Sequence, residues 1–298
     1  MKISSLGEFG LIDRIRKNAP LTKGVVRGIG DDAAVLEFNS KEHLLFTTDM
    51  LVEDVHFIRR APSAAIGHKA LACNVSDIAA MGGIPTFAVI SLGISPAAQL
   101  SLVEEIYSGI NKLARRFNIA IVGGDTVKSR KLTINIALLG RVAKKDLVLR
   151  CGAKAGDRIF VTGKLGRSLP TGRHLSFLPR LAESQFLVKQ IRPSAMIDVS
   201  DGLAADLGHI LEESKVGATI YEGLIPLNKG ASTKNALYDG EDFELVFTLS
   251  AKAVDRLQAS RAKFSFCEVG YITEEKGLRL VKRNSRKINI SMKGFEHF

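Results

Sequence analysis

Two stretches of alternating strand and helix patterns, joined by a short segment rich in glycine and polar residues, restrict the folds open to this chain. In the first stretch the apolar spacing predicts helices over 6–17, 62–81 and 96–117 and strands over 33–38, 43–48, 86–94, 119–122 and 132–142. The segment RCGAKAGD at 150–157 then interrupts the pattern. Beyond it the mixture returns, with helices predicted over 181–190, 201–215 and 251–261 and strands over 158–162, 195–199, 218–221, 243–249, 266–272 and 278–282.

This organisation predicts an α/β fold with mixed sheets, in which each half is a sheet with helices packed on it. The change of texture places the boundary between two domains, residues 1–148 and 149–298. A length of 298 residues agrees with two domains of ordinary size.

Composition excludes several classes of protein. Hydrophobic residues make up 46% and charged residues 24% of the chain, which is typical of globular proteins and argues against a largely disordered one. The three cysteines are scattered and form no CxxC pair, so we expect a reducing compartment without a disulfide framework. The apolar runs fall short of the ~18–20 residues of a membrane helix, and Glu8 and Asp13 interrupt any secretion signal. We therefore predict a cytoplasmic protein that does not associate with a membrane.

The net charge of +11 attracts anions of several kinds, including nucleic acids and small anionic substrates. Aromatic residues are scarce, at 6% of the chain, and tryptophan is absent, which weakens any prediction of base stacking. Charge alone therefore leaves a non-catalytic, nucleic-acid-binding protein open as an alternative to an enzyme.

Common catalytic signatures are missing from the sequence. It contains neither a GxxxxGK[ST] phosphate loop nor a GxSxG nucleophile motif. The segment GIGDDA at 28–33 fits a dinucleotide-binding pattern only superficially, because a strand follows it and two carboxylates would face the pyrophosphate. His56, His68 and His174 lack the spacing of zinc ligands.

Acidic side chains stand out instead, because many of them fall at predicted strand ends. Taken singly, Asp201 is best explained as a helix cap and Asp242 as a turn residue. Asp77 is harder to explain in this way, because it lies within an apolar helix where aspartate has poor propensity. The full set is Asp31, Asp32, Asp49, Asp77, Asp125, Asp198, Asp201, Glu241 and Asp242.

Clustered carboxylates repel one another and need cations in order to coexist. Oxygen ligands without histidine or cysteine select Mg²⁺ rather than zinc. Ligands bind at the carboxyl ends of strands in α/β sheets, and Mg²⁺ can bridge carboxylates to phosphates. The pattern therefore predicts an enzyme that uses a magnesium–nucleotide complex, without specifying the reaction.

Eight motifs, in order along nearly the whole chain, resemble those of the thiamine-monophosphate kinase family. They are GEFGLI at 7–12, GIGDDAAVL at 28–36, TTDMLVEDVHF at 47–57, KALACNVSDIAAMGGIP at 69–85, GGDT at 123–126, RCGAKAGD at 150–157, IDVSDGLAADL at 197–207 and GEDFEL at 240–245. The fold group of that family also contains aminoimidazole ribonucleotide synthetase. The resemblance implies the two-domain architecture of that fold group and a homodimer formed through the N-terminal domains.

The resemblance also implies ATP-dependent phosphorylation of thiamine monophosphate to thiamine diphosphate, assisted by several Mg²⁺ ions and without a covalent phospho-enzyme. Metal binding is implied for Asp31, Thr47, Thr48, Asp49, Asp77, Asp125, Asp198 and Asp201. ATP contacts are implied for Tyr107, Gly124, Asp125, Arg150 and Ser200. Substrate contacts are implied for His56, Glu241, Asp242 and Phe295.

Two alternatives stay open at this point. A different ATP-using enzyme of the same fold group would share the magnesium–ATP site but use another acceptor. A nucleic-acid-binding protein would use the positive charge, although the acidic residues would repel a phosphate backbone.

Overall fold

The computed structural model describes Ser5 and residues 7–260 and 263–295. Leu6 and Arg261, which the sequence predicts as helix ends, lie outside the described residues. The chain forms two sheets with helices packed on them, which confirms the predicted fold class. Among the described helices, none has the length and apolar character needed to cross a membrane.

The first sheet contains six strands from the N-terminal half. In chain order they are β1 (Val25–Arg27), β2 (Ala34–Glu37), β3 (Glu42–Val52), β4 (Ile84–Ile94), β5 (Ala120–Lys128) and β6 (Thr133–Ala143). Their spatial order is β1-β2-β3-β6-β4-β5, and β4 and β5 are its parallel pair. Alternate residues of β3 and β6 are buried, so one face of this sheet lies on a core and the other is exposed.

The described part of the N-terminal half contains three α-helices: α1 (Gly7–Asn18), α2 (Ser63–Ala80) and α3 (Leu100–Phe117). Most of α2 is buried, because it lies between the sheet, α3 and the C-terminal half. Gly67 and Gly109 allow the close contact between α2 and α3. A Cβ atom at Gly109 would lie 1.8 Å from the carbonyl oxygen of Ala64, and one at Gly67 would lie 2.0 Å from that of Ile106.

The second sheet contains seven strands from the C-terminal half. They are β7 (Arg158–Thr162), β8 (Ala195–Asp198), β9 (Gly217–Tyr221), β10 (Leu245–Leu249), β11 (Phe266–Thr273), β12 (Gly277–Val281) and β13 (Lys287–Ile290), in the spatial order β13-β12-β9-β11-β7-β10-β8. The helices are α4 (Ser168–Thr171), α5 (Leu181–Phe186), α6 (Leu203–Ser214), α7 (Thr233–Tyr238) and α8 (Ala251–Ala259). A π-helical turn, Leu187–Ile191, continues α5.

Buried hydrogen bonds connect the two halves where α2 meets β8 and α5. The Ser76 hydroxyl donates to Asp198 Oδ2 at 2.5 Å, and the Ser184 hydroxyl donates to the Ala79 carbonyl at 2.5 Å. The Gln185 amide donates to the carbonyl oxygens of Gly82 and Gly83. Buried polar groups need such partners, so these bonds favour a fixed contact between the halves.

Several element boundaries differ from the predictions. The strand predicted over 119–122 continues to Lys128 and includes the Gly-Gly-Asp segment, because its pairing with β4 continues through those residues. The third helix begins at Leu100 rather than at residue 96, because residues 96–98 form a turn. The sequence patterns also missed β1, β13, α4 and α7, which are three to six residues long and too short for a clear periodicity.

Candidate active site

Three carboxylates from distant parts of the sequence meet where the two halves join. Asp32 follows a glycine turn before β2, Asp77 lies on α2, and Asp198 ends β8. Each offers one oxygen atom, and these atoms all lie within 4.8 Å of one another. This acidic cluster brings together Asp77 and Asp198, two of the predicted metal ligands, and adds Asp32.

Neighbouring side chains fix the orientation of the cluster. The Thr47 hydroxyl donates to Asp77 Oδ2 at 2.5 Å, and Ser76 donates to Asp198 as described above. Arg150 donates from Nη2 to Asp32 Oδ1 at 2.7 Å. Asp32 Oδ2 and Asp49 Oδ2 are buried without a hydrogen-bond partner among the described residues. Orphaned carboxylate oxygens of this kind are what a bound cation would satisfy.

Burial raises the pKa of each of these carboxyl groups, and their mutual repulsion adds to the effect. The pKa of Asp198 is raised to about 8, mainly by burial and then by the charge of Asp32. Burial and the charge of Glu241 raise the pKa of Asp49 to about 6. For Asp77, burial and the charge of Asp49 raise the pKa well above its ordinary value. Ionisation of the whole cluster therefore requires added positive charge.

The chemistry of the donor set fits a hard divalent cation. The cluster offers carboxylate oxygens, with the Thr47 hydroxyl bonded to Asp77 and no histidine or cysteine donor in the group. The Thr48 hydroxyl lies on the other face of β3, where it donates to Asn135 Oδ1 and the Ile136 carbonyl oxygen. Such oxygen sites suit Mg²⁺ or Ca²⁺ and disfavour zinc. The residues present are therefore compatible with the predicted magnesium ions.

A cavity of about 570 Å³ opens on one side of the cluster. Its cationic side chains include Arg150 and Arg16, and helix α1 covers part of it. The ring of Phe9 on α1 lies 4.7 Å from that of His209, and Arg16 forms an ion pair with Glu213 at 2.9 Å. The volume of this larger cavity falls within the ~300–1,000 Å³ range of small-molecule sites.

A second cavity of about 250 Å³ opens on the other side of the cluster. Its walls combine apolar and polar groups. The apolar side chains include Leu51, Phe243 and Phe295, and the carboxylates of Asp239 and Glu241 lie beside them. Both cavities are lined by the same four residues, Asp49, Asp77, Ser200 and Asp201, so they meet at the acidic cluster.

Most of the residues that the sequence singled out lie at these two cavities. The larger cavity is lined by Asp31, Thr47, Thr48, Asp49, Asp77, Arg150, Asp198, Ser200 and Asp201, and the smaller cavity by His56, Glu241 and Phe295. Asp31 does not join the three clustered carboxylates. Its Oδ2 accepts from Arg27 Nε at 2.8 Å and its Oδ1 from the Arg150 backbone at 2.7 Å.

Four predicted site residues lie away from the cavities of their own chain. Gly124 and the exposed Asp125 belong to the edge strand β5, and Tyr107 on α3 packs against the N-terminal core. Asp242 is fully buried, and its carboxylate accepts from the Gly166 amide at 2.7 Å, the Ser168 hydroxyl at 2.5 Å and Arg173 at 3.1 Å. Asp242 therefore anchors the 166–173 segment.

Two residues at the site were missing from the predicted set of ligands and contacts. Asp31 and Asp32 are adjacent in the sequence, and the pattern does not show which of the two carboxylates faces the cluster. Lys69 lies at the smaller cavity and is fully buried. A lysine among the apolar residues of a predicted helix indicates a buried charge, but the pattern of acidic residues does not include it.

Family models and known relatives agree with this architecture. Residues 30–142 match the N-terminal domain model of AIR synthase related proteins, and residues 152–283 match the corresponding C-terminal domain model. The structure described as "AaThiL complexed with AMPPCP and TMP" has a TM-score of 0.87 and 34% identity, and the match covers 100% of this chain and 99% of that one. A thiamine-monophosphate kinase structure from Stenotrophomonas maltophilia has a TM-score of 0.74 and 33% identity, covering 92% and 96%.

Sequence relatives point to the same family over their full length. Thiamine-monophosphate kinase of Buchnera aphidicola from Acyrthosiphon pisum is 35% identical, covering 98% of both chains. The enzyme of Aquifex aeolicus is 34% identical, covering 100% of both. These matches confirm the resemblance carried by the eight motifs: this chain belongs to the thiamine-monophosphate kinase family of AIR synthase related proteins.

Proposed function

We propose that this chain transfers the γ-phosphoryl group of ATP to thiamine monophosphate and so forms thiamine diphosphate and ADP. The observation that carries the proposal is the meeting of two cavities of unequal size at one acidic cluster. A donor nucleotide and a smaller acceptor can then present their phosphates to each other across that cluster. The complex of a related protein with AMPPCP and TMP supports this proposal.

The larger cavity is the proposed ATP site. Arg150 lies there with its guanidinium on Asp32, and Arg16 and Arg27 on the same side pair with Glu213. These cations favour the approach of a polyphosphate, and the part of the cavity lined by α1 is the proposed place of the base and ribose. Ser200 lies where the two cavities meet, in reach of a phosphate from either side.

The smaller cavity is the proposed acceptor site. Thiamine monophosphate carries a cationic thiazolium ring, an aminopyrimidine ring and a phosphate. The aromatic rings of Phe243 and Phe295 offer surfaces for the two heterocycles, and Glu241 offers a negative charge to the thiazolium. The acceptor phosphate then points toward Asp77 and Asp201, where the cavities meet.

Asp32, Asp49, Asp77 and Asp198 are the proposed magnesium ligands, together with Thr47, Thr48 and Asp201. Bound Mg²⁺ ions would neutralise phosphate charge that these carboxylates otherwise repel. An oxygen of the acceptor phosphate bonds to the γ-phosphorus of ATP as the bond from that phosphorus to the β–γ bridging oxygen breaks, and ADP leaves with the electron pair. The chain contributes positioning rather than a covalent intermediate. Cys73, whose thiol lines the smaller cavity, stays protonated because burial and the charge of Asp49 raise its pKa well above the ordinary value.

We also propose that two copies of the chain form a homodimer through the exposed face of the first sheet. Phe46, Met50, Phe87 and Val89 lie on this face and are each 40–55% exposed. Register across the sheet sets Met50 opposite Asn135, Asn135 opposite Ser91, and Ser91 opposite Asp125, so Asp125 lies on the same face. Several exposed apolar side chains on one face of a sheet are typical of an interface.

The dimer gives Asp125 and Gly124 a role that their own protomer does not provide. Phe46 and Thr48 lie on the same exposed face and also line the larger cavity, so a second copy covering this face approaches that cavity. In a two-fold pair, Asp125 of one copy is then placed toward the nucleotide of its partner. The first sheet lies within residues 1–148, the predicted N-terminal domain, so the proposed interface belongs to that domain.

The proposed activity is tested with purified protein, ATP, Mg²⁺ and thiamine monophosphate, with products separated by chromatography. Thiamine diphosphate forming in a one-to-one ratio with ADP supports the proposal. If no product forms while ATP still raises the melting temperature in a Mg²⁺-dependent manner, the acceptor is a different one. If neither effect occurs, both the kinase activity and the nucleotide site are contradicted.

A further inference from the structure

Lys69 is a fully buried lysine whose ammonium group links the two sides of the smaller cavity. It lies on α2 and has no exposed side-chain surface. Its Nζ donates to the His56 carbonyl oxygen at 2.8 Å and lies 2.5 Å from Glu241 Oε2. His56 belongs to the loop after β3, whereas Glu241 belongs to the C-terminal half, so this one side chain connects two segments that are both expected to contact the acceptor.

Burial of the Lys69 ammonium group destabilises the fold unless other groups compensate its charge. Burying an ammonium group is unfavourable without an ionic partner and hydrogen bonds. Carboxylates share the cavity with this ammonium group. Glu241 is in direct contact with it, and Asp49 on β3 and Asp77 on the same helix also line the smaller cavity. The ion pair therefore adds a fixed positive charge to a region that is otherwise acidic.

Glu241 lies in a strained backbone segment that is fixed by hydrogen bonds to the neighbouring backbone. Glu241 has φ +60° and Phe243 has φ +48°, both in the left-handed region that most side chains avoid. The Glu241 amide donates to the Ser200 carbonyl at 2.6 Å, and the Phe243 amide donates to the Val199 carbonyl at 2.7 Å. These bonds fix the backbone, and the ion pair with Lys69 then selects the direction of the Glu241 carboxylate.

We propose that Lys69 is a positioning residue for the acceptor. It holds the Glu241 carboxylate and the His56 loop in the arrangement that receives the cationic part of the acceptor. This inference rests on the proposed function, because it concerns the acceptor side of the same site. The inference predicts different effects on the two substrates. Loss of Lys69 weakens recognition of thiamine monophosphate and leaves ATP binding in the other cavity nearly unchanged.

The test compares steady-state kinetics of Lys69→Met in the native and Glu241→Gln backgrounds, with Lys69→Arg as the conservative variant. Lys112→Met is the matched control, because Lys112 is exposed on α3 away from both cavities. We expect Lys69→Met to raise KM for thiamine monophosphate about tenfold or more, as is common when a positioning group is lost, with KM for ATP within about twofold of native. Lys69→Arg should restore part of the loss.

If Lys69 acts through Glu241, its removal should have little further effect once Glu241→Gln is present. An unchanged KM for the acceptor in folded Lys69→Met, or an equal rise in both backgrounds, overturns the inference. Should Lys69→Met fail to fold, Lys69→Met/Glu241→Gln removes both charges of this ion pair and is compared with Glu241→Gln alone. A further rise in KM for the acceptor in the double variant then counts against the inference. A native protein that does not phosphorylate thiamine monophosphate defeats the proposed function itself and this inference with it.

Discussion

Replacement of Asp198 by asparagine should make the metal-free protein more stable at alkaline pH while it removes activity. Asp198 is buried, its pKa is raised from 3.8 to about 8, and Ser76 donates a hydrogen bond to it. A carboxyl group whose pKa is higher in the folded state stabilises the fold while it is protonated. That contribution is lost as pH rises through the folded-state pKa.

The size of the effect follows from the two pKa values. Between pH 5 and pH 8 the unfolded carboxyl is already ionised, whereas the folded one still holds its proton because burial and the charge of Asp32 oppose ionisation. Folding therefore takes up a proton, which becomes less favourable as pH rises. At about 1.4 kcal/mol per pH unit, the penalty for Asp198 grows by about 4 kcal/mol over this interval. Asparagine keeps the shape and can still accept the Ser76 bond, but it does not ionise.

The assay is urea unfolding in the presence of EDTA at pH 5 and pH 8, repeated with Mg²⁺. We expect the free energy of unfolding of the native protein to fall between these two pH values. That of Asp198→Asn should fall less, with the remaining decrease due to Asp49 and Asp77, whose pKa values are also raised. Mg²⁺ should stabilise the native protein more strongly at pH 8 than at pH 5, because protons compete with it less at the higher pH, and it should stabilise the variant less. Asp255→Asn, an exposed change on α8, is the control.

Two results would refute this reasoning. If Asp198→Asn shows the same loss of stability between pH 5 and pH 8 as the native protein in EDTA, then Asp198 is not the group that holds a proton in the folded state. If the variant keeps native turnover and native stabilisation by Mg²⁺, the side chain at position 198 is not part of the metal site.

Three further predictions test other parts of the structure. Asp125→Asn and Asp32→Asn should each be inactive alone. When the two variants are co-expressed, half of the random dimers are mixed, and each mixed dimer has one site with an intact Asp32 and an intact Asp125, so about 25% of native activity should return. No recovery would place Asp125 outside the partner's site. Cys73→Ser should keep native turnover to within about twofold, because the thiol is protonated, and loss of activity in a folded variant would contradict direct transfer. Gly109→Ala should lower the free energy of unfolding by about 1–3 kcal/mol through its contact with Ala64, measured against Gly223→Ala, which meets nothing within 4 Å; an unchanged midpoint would show that the helices separate freely.

The sequence was sufficient for the two-sheet fold class because long periodic segments determine which faces are buried. It could not distinguish Asp31 from Asp32, because their difference is made by distant groups. Arg27 and the Arg150 backbone hold Asp31, whereas the next residue reaches Asp77 and Asp198 after a turn at Gly30 with φ +125°. Arg27 is four positions from Asp31, but Arg150, Asp77 and Asp198 are far along the chain from the two aspartates and leave no local pattern.

The Gly-Gly-Asp segment shows a second limit of local patterns. Paired glycines predict a loop, yet residues 123–125 continue β5. Gly124 is needed there because a Cβ atom would lie 1.9 Å from the Ile90 carbonyl oxygen on the neighbouring strand. Asp242 shows the same limit. Its sequence is typical of an exposed turn, yet its carboxylate is buried and bonded to the distant residues Ser168 and Arg173.

Helix α2 explains why part of the site was readable all the same. By composition it is a core helix, and most of its residues are buried. Its polar residues Lys69, Ser76 and Asp77, with Cys73 between them, follow the spacing i, i+4, i+7 and i+8, which places them along one stripe. A polar stripe on a buried helix must face polar partners, and here these are Glu241 and Asp198 of the other half. A helix of this kind cannot be completed by its own domain, so the pattern indicates a site between two domains even before the partners are known.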